Sequence, residues 1–232
     1  ARIFAQHGIQ LIICGRRQER LDALSKELSE LTTVTSLKFD VRDKYEVFKA
    51  IGSLSTSFQH IDILINNAGN AHGLDFIQDG SLEDWDAMMD INVKGLLYVS
   101  KAIIPQMTKR QSGHIINIGS SAGKEIYPKG NVYCASKHAV IAITDGMRID
   151  LNPFGIKVTA INPGLVETEF SEVRFHGDKQ AAEKVYQGYT PLTAFDVAET
   201  IEFVLSRPPH VNIADTLILC TDQASSTIVR KG

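Results

Sequence analysis

The sequence predicts an α/β protein in which helices cover both faces of a parallel sheet, and two observations support this prediction. Short apolar runs recur along the chain, as at 11–14, 61–65 and 157–161. Between them lie segments of about ten to twenty residues whose apolar side chains repeat at helical spacing. Strands that alternate with helices of this length pair in parallel, because each crossover helix returns the chain to the same edge of the sheet.

Composition describes one ordinary globular domain, spanning 1–232. The chain has 232 residues, of which 44% are hydrophobic and 22% charged. A net charge of −3 provides no basic footprint for nucleic acid or an anionic membrane. No apolar run approaches the roughly 18 residues of a membrane span. The three cysteines have no metal-ligand spacing, so we expect small buried thiols and a cytoplasmic location.

The individual elements follow from apolar spacing and capping residues. After the turn at 15–17, leucines three or four residues apart predict a helix with one apolar face. Asp43 with Glu46 is typical of a capping pair and predicts a helix that begins there and runs through Phe58. A longer helix is predicted to begin at Ser81 and to be interrupted near Asn92. The other predicted elements are strands at 36–39, 114–118 and 216–219, helices at 132–151 and 196–206, and a long segment at 163–191.

Tyr133 and Lys137 are the residues most indicative of chemistry. Residues four apart share one face of a helix, so both side chains point into the same cleft. A phenol has a pKa of about 10, and moving it to neutrality requires about 4 kcal/mol of differential stabilisation, which a nearby ammonium favours. Ser120, thirteen residues before the tyrosine, can hold a substrate oxygen. The set suits proton transfer to or from a carbinol oxygen.

A tyrosine and a lysine at this spacing also occur as an ordinary pair on an exposed helix, so the surrounding motifs decide the interpretation. These motifs are the strand 114–118 running into Gly119-Ser120-Ser121-Ala122-Gly123, Asn66-Asn67-Ala68-Gly69 after an earlier strand, Asn92-Val93-Lys94-Gly95, and Asn162-Pro163-Gly164. In this order and spacing the chain resembles the short-chain dehydrogenase/reductase family over essentially its whole length. The resemblance implies a single-domain, Rossmann-like, doubly wound parallel sheet.

The elements that begin such a fold are not found in this sequence. A dinucleotide-binding fold starts with a strand, a glycine-rich turn and a helix that receives the pyrophosphate. Here residues 1–7 read as the end of that helix, and no G-x-G-x-x-G turn occurs in the 232 residues. We expect the sequence to begin downstream of the true start. The alternative is a truncated product, which would leave unpaired edges within the sheet.

The resemblance assigns roles to four residues. Tyr133 is implied as the general acid/base, and Lys137 as the group that lowers its pKa and binds the nicotinamide ribose. Ser120 is implied to orient the substrate oxygen, although it could simply cap a turn, and Ser121 is an alternative. Asn92 resembles the residue whose backbone kink holds a water next to the lysine; a helix-breaking cap is the alternative.

Arg16 and Arg17 favour NADP over NAD. An acidic residue at the end of this strand would bind the ribose hydroxyls of NAD, whereas arginine accommodates a 2′-phosphate. The alternative is that both arginines merely solvate a helix start, where cations are disfavoured without an anion. The resemblance further implies cofactor contacts by Asp40, Val41, Asn67, Ala68, Gly69, Pro163, Gly164, Val166 and Thr168, as well as by Tyr133 and Lys137.

Residues 164–175 narrow the resemblance to the NADP-dependent serine and 3-hydroxy acid dehydrogenases. This branch implies oxidation of the 3-hydroxyl of L-serine, L-allo-threonine or short acids such as 3-hydroxyisobutyrate, with 163–191 covering the substrate. A substrate carboxylate needs a cation, and Arg174 lies within that segment. The alternative for Arg174 is a salt bridge with Glu169 or Glu172, within or between subunits.

Two other functions stay open at this point. One is a broad NADPH-dependent ketone or aldehyde reductase on the same scaffold. The other is a catalytically dead relic that senses nucleotide or binds partners, and only the missing glycine-rich turn favours it. The resemblance also implies a homotetramer.

No metal site is expected. The four histidines considered for one are scattered along the sequence, and no pattern places two of them on one face with a carboxylate. They are His72, His114, His138 and His176.

Overall fold

The computed structural model describes residues 1–232, which form nine α-helices and eight strands. The helices are α1 (Arg2–Gln6), α2 (Gln18–Leu28), α3 (Lys44–Gly52), α4 (Leu82–Met89), α5 (Leu96–Arg110), α6 (Asn131–Leu151), α7 (Phe170–Arg174), α8 (Lys179–Val185) and α9 (Ala194–Leu205). The strands are β1 (Leu11–Gly15), β2 (Val34–Lys38), β3 (Ile63–Asn66), β4 (His114–Ile118), β5 (Lys157–Pro163), β6 (Val166–Glu167), β7 (Leu192–Thr193) and β8 (Asp215–Ile218).

All pairings between these strands are parallel, as the alternation of strands and helices predicts. The strands form a pair β1-β2, a four-stranded sheet in the order β3-β4-β5-β8, and a small pair β6-β7. No hydrogen-bonded ladder joins β1 to β3. Helix α1 packs against both parts instead: Phe4 lies in a cluster with Ile116 and Ile161 of the four-stranded sheet, and Ala5 in a cluster with Ile13 of β1.

The core lies on both faces of the four-stranded sheet. Ile115 packs in one cluster with side chains of α5 and α6, whereas Ile116, the next residue, packs in another with α1 and α9. Both isoleucines are fully buried. Successive side chains of a strand point to opposite faces, so this pair shows that helices cover each face. Burying one such side chain contributes about 1.5–3 kcal/mol.

The predicted interruption near Asn92 is a π-helical segment, Asp90–Gly95, between α4 and α5. A π-helical turn adds a residue to the helix and often marks a functional site. It is packed closely, since a Cβ added at Gly95 would lie 2.7 Å from Val41 Cγ2. Asn92 is therefore held inside the protein, with only 1% of its surface exposed.

Some boundaries and one thiol differ from the sequence prediction. Asp43 caps α3 by accepting hydrogen bonds from two backbone amides, but α3 ends at Gly52 and not at 58. The Glu46 carboxylate accepts from Asp40 N (3.0 Å) instead of closing a capping box. Two cysteines are buried, whereas Cys14 is exposed because it alternates with the buried Ile13 along β1.

The segment 163–191 is more regular than the sequence indicates. It contains α7 and α8. Near its start lies β6, which pairs with β7 directly after its end. Tyr186 ties it together, because its hydroxyl donates to Val166 O (2.8 Å) and lies 2.7 Å from Ser171 Oγ. None of the helices of the chain combines the length and apolar composition needed to cross a bilayer.

Candidate active site

Tyr133, Lys137 and Ser120 come together at the carboxyl end of β4. Tyr133 and Lys137 lie one turn apart near the start of α6, and all three side chains are buried. The Ser120 hydroxyl lies near the Tyr133 phenol and acts to lower its pKa. It also caps the following turn, since its Oγ accepts from Ala122 N (3.1 Å). Ser120 therefore caps this turn, while Ser121 lies within the turn itself.

The strand end is positioned by side chains that leave no room for larger residues. A Cβ at Gly119 would lie 2.0 Å from Asn162 Oδ1, so the chain entering Ser120 requires glycine. A buried polar network continues beneath it. Asn66 Nδ2 donates to Asn117 Oδ1 (2.8 Å), and Asn117 Nδ2 donates to Thr144 Oγ1 (3.0 Å). Buried amides of this kind are costly unless they are paired, so the network fixes β3 and β4 against α6.

Burial dominates the electrostatics of the pair. It raises the pKa of Tyr133 above its ordinary value; the Ser120 hydroxyl and the Arg174 guanidinium act in the opposite direction, and Tyr127 adds to the increase. Burial also lowers the pKa of Lys137 to about 8. The expected lowering of the tyrosine pKa by Lys137 is thus not seen in the chain alone. Lys137 Nζ instead donates to Ile118 O (3.0 Å).

Asn92 contacts the same region through Asn70, a residue that the sequence interpretation missed. Asn92 Oδ1 accepts from Asn70 N (2.8 Å), and Asn92 Nδ2 donates to Asn70 O (2.8 Å). A Cβ at Gly69 would lie 3.2 Å from Asn92 Oδ1 and 3.4 Å from Lys137 Nζ. Gly69 therefore lies directly against both side chains. Asn67, Ala68 and Gly69 are exposed and open to a ligand.

The two predicted phosphate-binding arginines are exposed at the carboxyl end of β1. Arg16 Nη1 lies 3.7 Å from Asp40 Oδ2, and Arg17 Nη1 lies 3.5 Å from Glu169 Oε2. Asp40 is held more tightly by Arg42, whose guanidinium donates to both carboxylate oxygens. Burial would raise the pKa of Asp40, but the hydrogen bonds and charge of Arg42 outweigh it and lower that pKa.

Glu169 and Arg20 form a contact that the sequence did not indicate. Arg20 Nη1 donates to both oxygens of Glu169, at 2.7 and 2.9 Å. Glu169 immediately precedes α7, whereas Arg20 and Arg17 belong to the start of α2. The two residues are 149 positions apart, and only the fold brings them together.

The chain after β5 is held by Gln223, which is 4% exposed and was also missed. Gln223 Oε1 accepts from Leu165 N (2.9 Å), and a Cβ at Gly164 would lie 2.1 Å from the same oxygen. Pro163 ends β5, and Val166 belongs to β6. Thr168 Oγ1 accepts from Phe170 N (3.2 Å). These contacts carry the chain from the sheet edge to α7.

Arg174 lies beside Tyr133. Its guanidinium carbon is 5.6 Å from the centroid of the Tyr133 ring and 5.5 Å from that of Tyr127, distances typical of cation–π contacts. Arg174 Nε donates to Gly73 O (3.1 Å). Arg174 forms no ion pair with a carboxylate of its own chain, and Glu169 pairs with Arg20 instead. The ring of Phe170 contacts Tyr133 edge-on at 5.8 Å, so α7 covers the tyrosine.

Two of the histidines are not scattered, contrary to the sequence interpretation. The rings of His72 and His176 stack with centroids 5.6 Å apart, and His176 Nε2 lies 3.1 Å from Asp84 Oδ2. His72 lies in a loop, Asp84 in α4 and His176 in the turn after α7. They are too far apart in sequence for spacing to reveal the cluster, so only the fold shows it.

The family model described as "short chain dehydrogenase" matches residues 1–179, with the Ser120, Tyr133 and Lys137 cluster inside that range. The chain belongs to the short-chain dehydrogenase family. It is 46% identical over 214 residues to an NADP-dependent 3-hydroxy acid dehydrogenase of Salmonella typhi, covering 92% of this chain and 86% of that protein. It is 43% identical to sulfoacetaldehyde reductase 2 of Chromohalobacter salexigens, over 97% of this chain and 90% of that protein.

Comparison with solved structures gives the same family. A solved structure described as the closed form of serine dehydrogenase complexed with NADP⁺ superimposes with a TM-score of 0.93 at 43% identity. The match covers 100% of this chain and 93% of that one. The Rossmann-like α/β architecture predicted from the sequence is thereby confirmed, together with membership in a family of dehydrogenases.

Proposed function

We propose that this dehydrogenase uses NADP to oxidise the 3-hydroxyl of short 3-hydroxy acids or 3-hydroxy amino acids. L-Serine, L-allo-threonine and 3-hydroxyisobutyrate are the representative substrates. The observation that carries this proposal is the Arg174 guanidinium, which lies 5.6 Å from the Tyr133 ring and has no carboxylate partner in the chain. A half-buried, unpaired guanidinium next to an acid/base residue suits an anionic substrate, because arginine binds carboxylates bidentately.

The residues at the carboxyl edge of the sheet fit NADP. Arg16 and Arg17 are exposed there, and a 2′-phosphate is the group that two guanidiniums favour over a plain ribose. Exposed Asn67, Ala68 and Gly69 allow close approach of a ligand to the backbone. Two of the proteins described above, the 3-hydroxy acid dehydrogenase and the solved serine dehydrogenase, are NADP-dependent or NADP-bound by name. When bound, the nicotinamide supplies or accepts the hydride.

The remaining chemistry belongs to the chain. Tyr133 takes the proton of the substrate hydroxyl, and Ser120 hydrogen-bonds to the same oxygen. Lys137 provides positive charge near the phenol and binds ribose hydroxyls. Asn92 holds the backbone of Asn70 by a hydrogen bond and so positions Gly69, which lies against the Lys137 ammonium. Since burial raises the pKa of Tyr133, added positive charge at the site is needed for the phenol to act near neutrality.

The segment 163–191 is proposed to cover the substrate. Phe170 and Arg174 already contact Tyr133. The start and the end of the segment are held together, because β6 pairs with β7. A cover excludes water and completes the binding site, which strengthens every charge interaction inside it.

A second candidate, reduction of aldehydes or ketones, is favoured by the sulfoacetaldehyde reductase name of one relative. It uses the same residues in the opposite direction. The dead-relic alternative is disfavoured, because Ser120, Tyr133 and Lys137 are all present and buried and family membership is shown.

A substrate panel on the intact protein tests the proposal, with NADPH absorbance as the readout. L-Serine, L-allo-threonine and 3-hydroxyisobutyrate should be oxidised with NADP, and Tyr133→Phe should lower turnover by about 100-fold or more. Arg174→Met should raise KM for these acids by about 10- to 100-fold, since a hydrogen bond to a charged group contributes about 1.5–3 kcal/mol, and should spare uncharged ketones.

Arg207→Met is the matched control, because the Arg207 guanidinium also lies over an aromatic ring, Phe203 at 4.2 Å, on α9. It should leave both classes of substrate unchanged. Equal effects of Arg174→Met on acids and uncharged ketones would remove the carboxylate assignment. Activity with uncharged carbonyls alone would favour the reductase.

We further propose a homotetramer. Large apolar side chains are exposed on two separate surfaces: Leu97 and Ile149 on α5 and α6, and Phe195, Phe203 and Leu217 on α9 and β8. Exposed apolar side chains on long helices are typical of subunit contacts. Two surfaces of this kind are what a tetramer with two types of interface requires.

A further inference from the structure

We propose that His72, Asp84 and His176 bind one divalent transition-metal ion of the zinc type, and that this ion ties the covering segment to α4. One ring nitrogen or carboxylate oxygen from each residue lies within 4.8 Å of the others. The site is separate from the residues assigned to acid/base chemistry and goes beyond the proposed function. Two imidazoles and one carboxylate form a donor set that suits Zn²⁺, Co²⁺ or Ni²⁺ better than Mg²⁺ or Ca²⁺.

The distances require only a small contraction. Zinc lies about 2.0–2.2 Å from nitrogen or oxygen ligands, which places tetrahedral ligands about 3.3 Å apart. The pair His176 Nε2 and Asp84 Oδ2, at 3.1 Å, already meets this value. His176 lies in the exposed turn after α7, which can move toward His72 by the remaining distance.

His72 has a free ligand atom and a neighbour that fixes its ring. Its Nε2 lies 2.5 Å from the Asn70 amide nitrogen, while Asn70 Oδ1 is buried without a partner. Rotating that amide by half a turn lets Nε2–H donate to Oδ1 and leaves the lone pair on Nδ1. His72 Nδ1 is itself buried without a hydrogen-bond partner. Metal-binding histidines are oriented in this way by a second hydrogen bond.

Two of the three residues adjoin a small cavity. His72 and Asp84 line a cavity of about 10 Å³, and Tyr133 lines another part of it. A cavity of this size holds about one water molecule, which would supply the fourth ligand.

An ion here would act on the covering segment. Gly73 N donates to Arg174 O (3.0 Å), and Arg174 Nε donates to Gly73 O (3.1 Å), so the loop carrying His72 already contacts the end of α7. A metal bridge between His72 and His176 would lock this contact. We therefore expect the bound ion to protect residues 170–190 from proteolysis and to slow turnover.

The test uses untagged, chelator-treated, intact protein titrated with Zn²⁺ by calorimetry and with Co²⁺ by visible absorption. The expected result is one ion per chain, with a Co²⁺ spectrum of a four- or five-coordinate site. His176→Gln and Asp84→Asn should each weaken binding by about 10-fold or more. His7→Gln is the matched control, since it removes another exposed histidine–carboxylate pair, with Glu202, and should bind as the wild type does.

Circular dichroism and NADPH binding verify that each variant is folded. Zn²⁺ binding that is equal in the wild type and in His176→Gln would overturn the proposal. The proposal would also be overturned if the wild type resisted proteolysis equally with and without metal and His176→Gln removed this resistance. That outcome would identify a simple His–Asp contact.

Discussion

At the scale of single residues, the site depends on how burial acts on two titratable groups of opposite sign. It raises the pKa of Tyr133 and lowers that of Lys137, so it disfavours the charged form of both. A phenolate and an ammonium in contact would help each other, but Lys137 Nζ is directed at Ile118 O. The fold therefore tolerates a buried lysine at a free-energy cost, which is consistent with the role proposed for Lys137 at the cofactor.

This cost can be measured with Lys137→Met. An exposed lysine has a pKa of about 10.5 and that of Lys137 is about 8, so between these pH values the unfolded chain binds more protons. The free energy of unfolding consequently rises with pH across that window, and at pH 7 the full penalty of about 3 kcal/mol is present. Lys137→Met should stabilise the protein by up to this amount at pH 7, with little gain near pH 10, while turnover falls.

Urea unfolding at the two pH values measures the effect, and Lys101→Met, an exposed position on α5, is the control. The same stability change at both pH values, or none at pH 7, would contradict the burial penalty.

At the scale of elements, the contact between α7 and α2 relates the covering segment to the cofactor. The Glu169 carboxylate is hydrogen-bonded to Arg20 and lies 3.5 Å from Arg17. Arg17 is one of the two residues proposed to bind the 2′-phosphate. A phosphate and this carboxylate would compete for Arg17. Such exposed pairs contribute little, so this competition should change the affinity for the cofactor by no more than about 5-fold.

Glu169→Gln should therefore tighten NADPH binding by about 2- to 5-fold and leave NADH binding almost unchanged. Fluorescence titration with both cofactors measures this. Glu27→Gln removes a comparable bidentate pair with Arg2, at 2.6 and 2.8 Å, on a different surface, and should change neither Kd. Equal tightening for NADPH and NADH would exclude competition with the 2′-phosphate.

At the scale of the whole molecule, the exposed apolar side chains of α6 and α9 suggest how subunits assemble. Ile149 is 72% exposed near the end of α6, on a helix whose other side packs in the core. A charge placed at an apolar interface is costly unless it is paired. Ile149→Glu should convert the proposed tetramer to a smaller species, as measured by analytical ultracentrifugation.

Glu183→Gln, a change at an exposed position of α8, is the control and should sediment as the wild type does. A monomeric wild type at micromolar concentration would contradict the assembly itself. A tetrameric Ile149→Glu would show that this end of α6 lies outside the interface.

Much of the fold could be predicted because its signals are local. The apolar run at 114–118, the spacing of Tyr133 and Lys137, and the break at Asn92 are patterns within one or two turns or one strand, and each lies where predicted. Helix ends were less certain: α3 stops at Gly52, six residues before its predicted end. The segment 163–191 carries little periodicity, so its two helices were missed.

The sequence by itself determined the parallel α/β architecture, the position of the Ser120, Tyr133 and Lys137 cluster, and the family. Only the tertiary structure decided what surrounds them: the burial that raises one pKa and lowers the other, the contact of Glu169 with Arg20, and the His72, Asp84 and His176 cluster. The physical reason is that these properties depend on distances between residues up to 149 positions apart. Strand and helix periodicities extend over a few residues and contain no information about such distances.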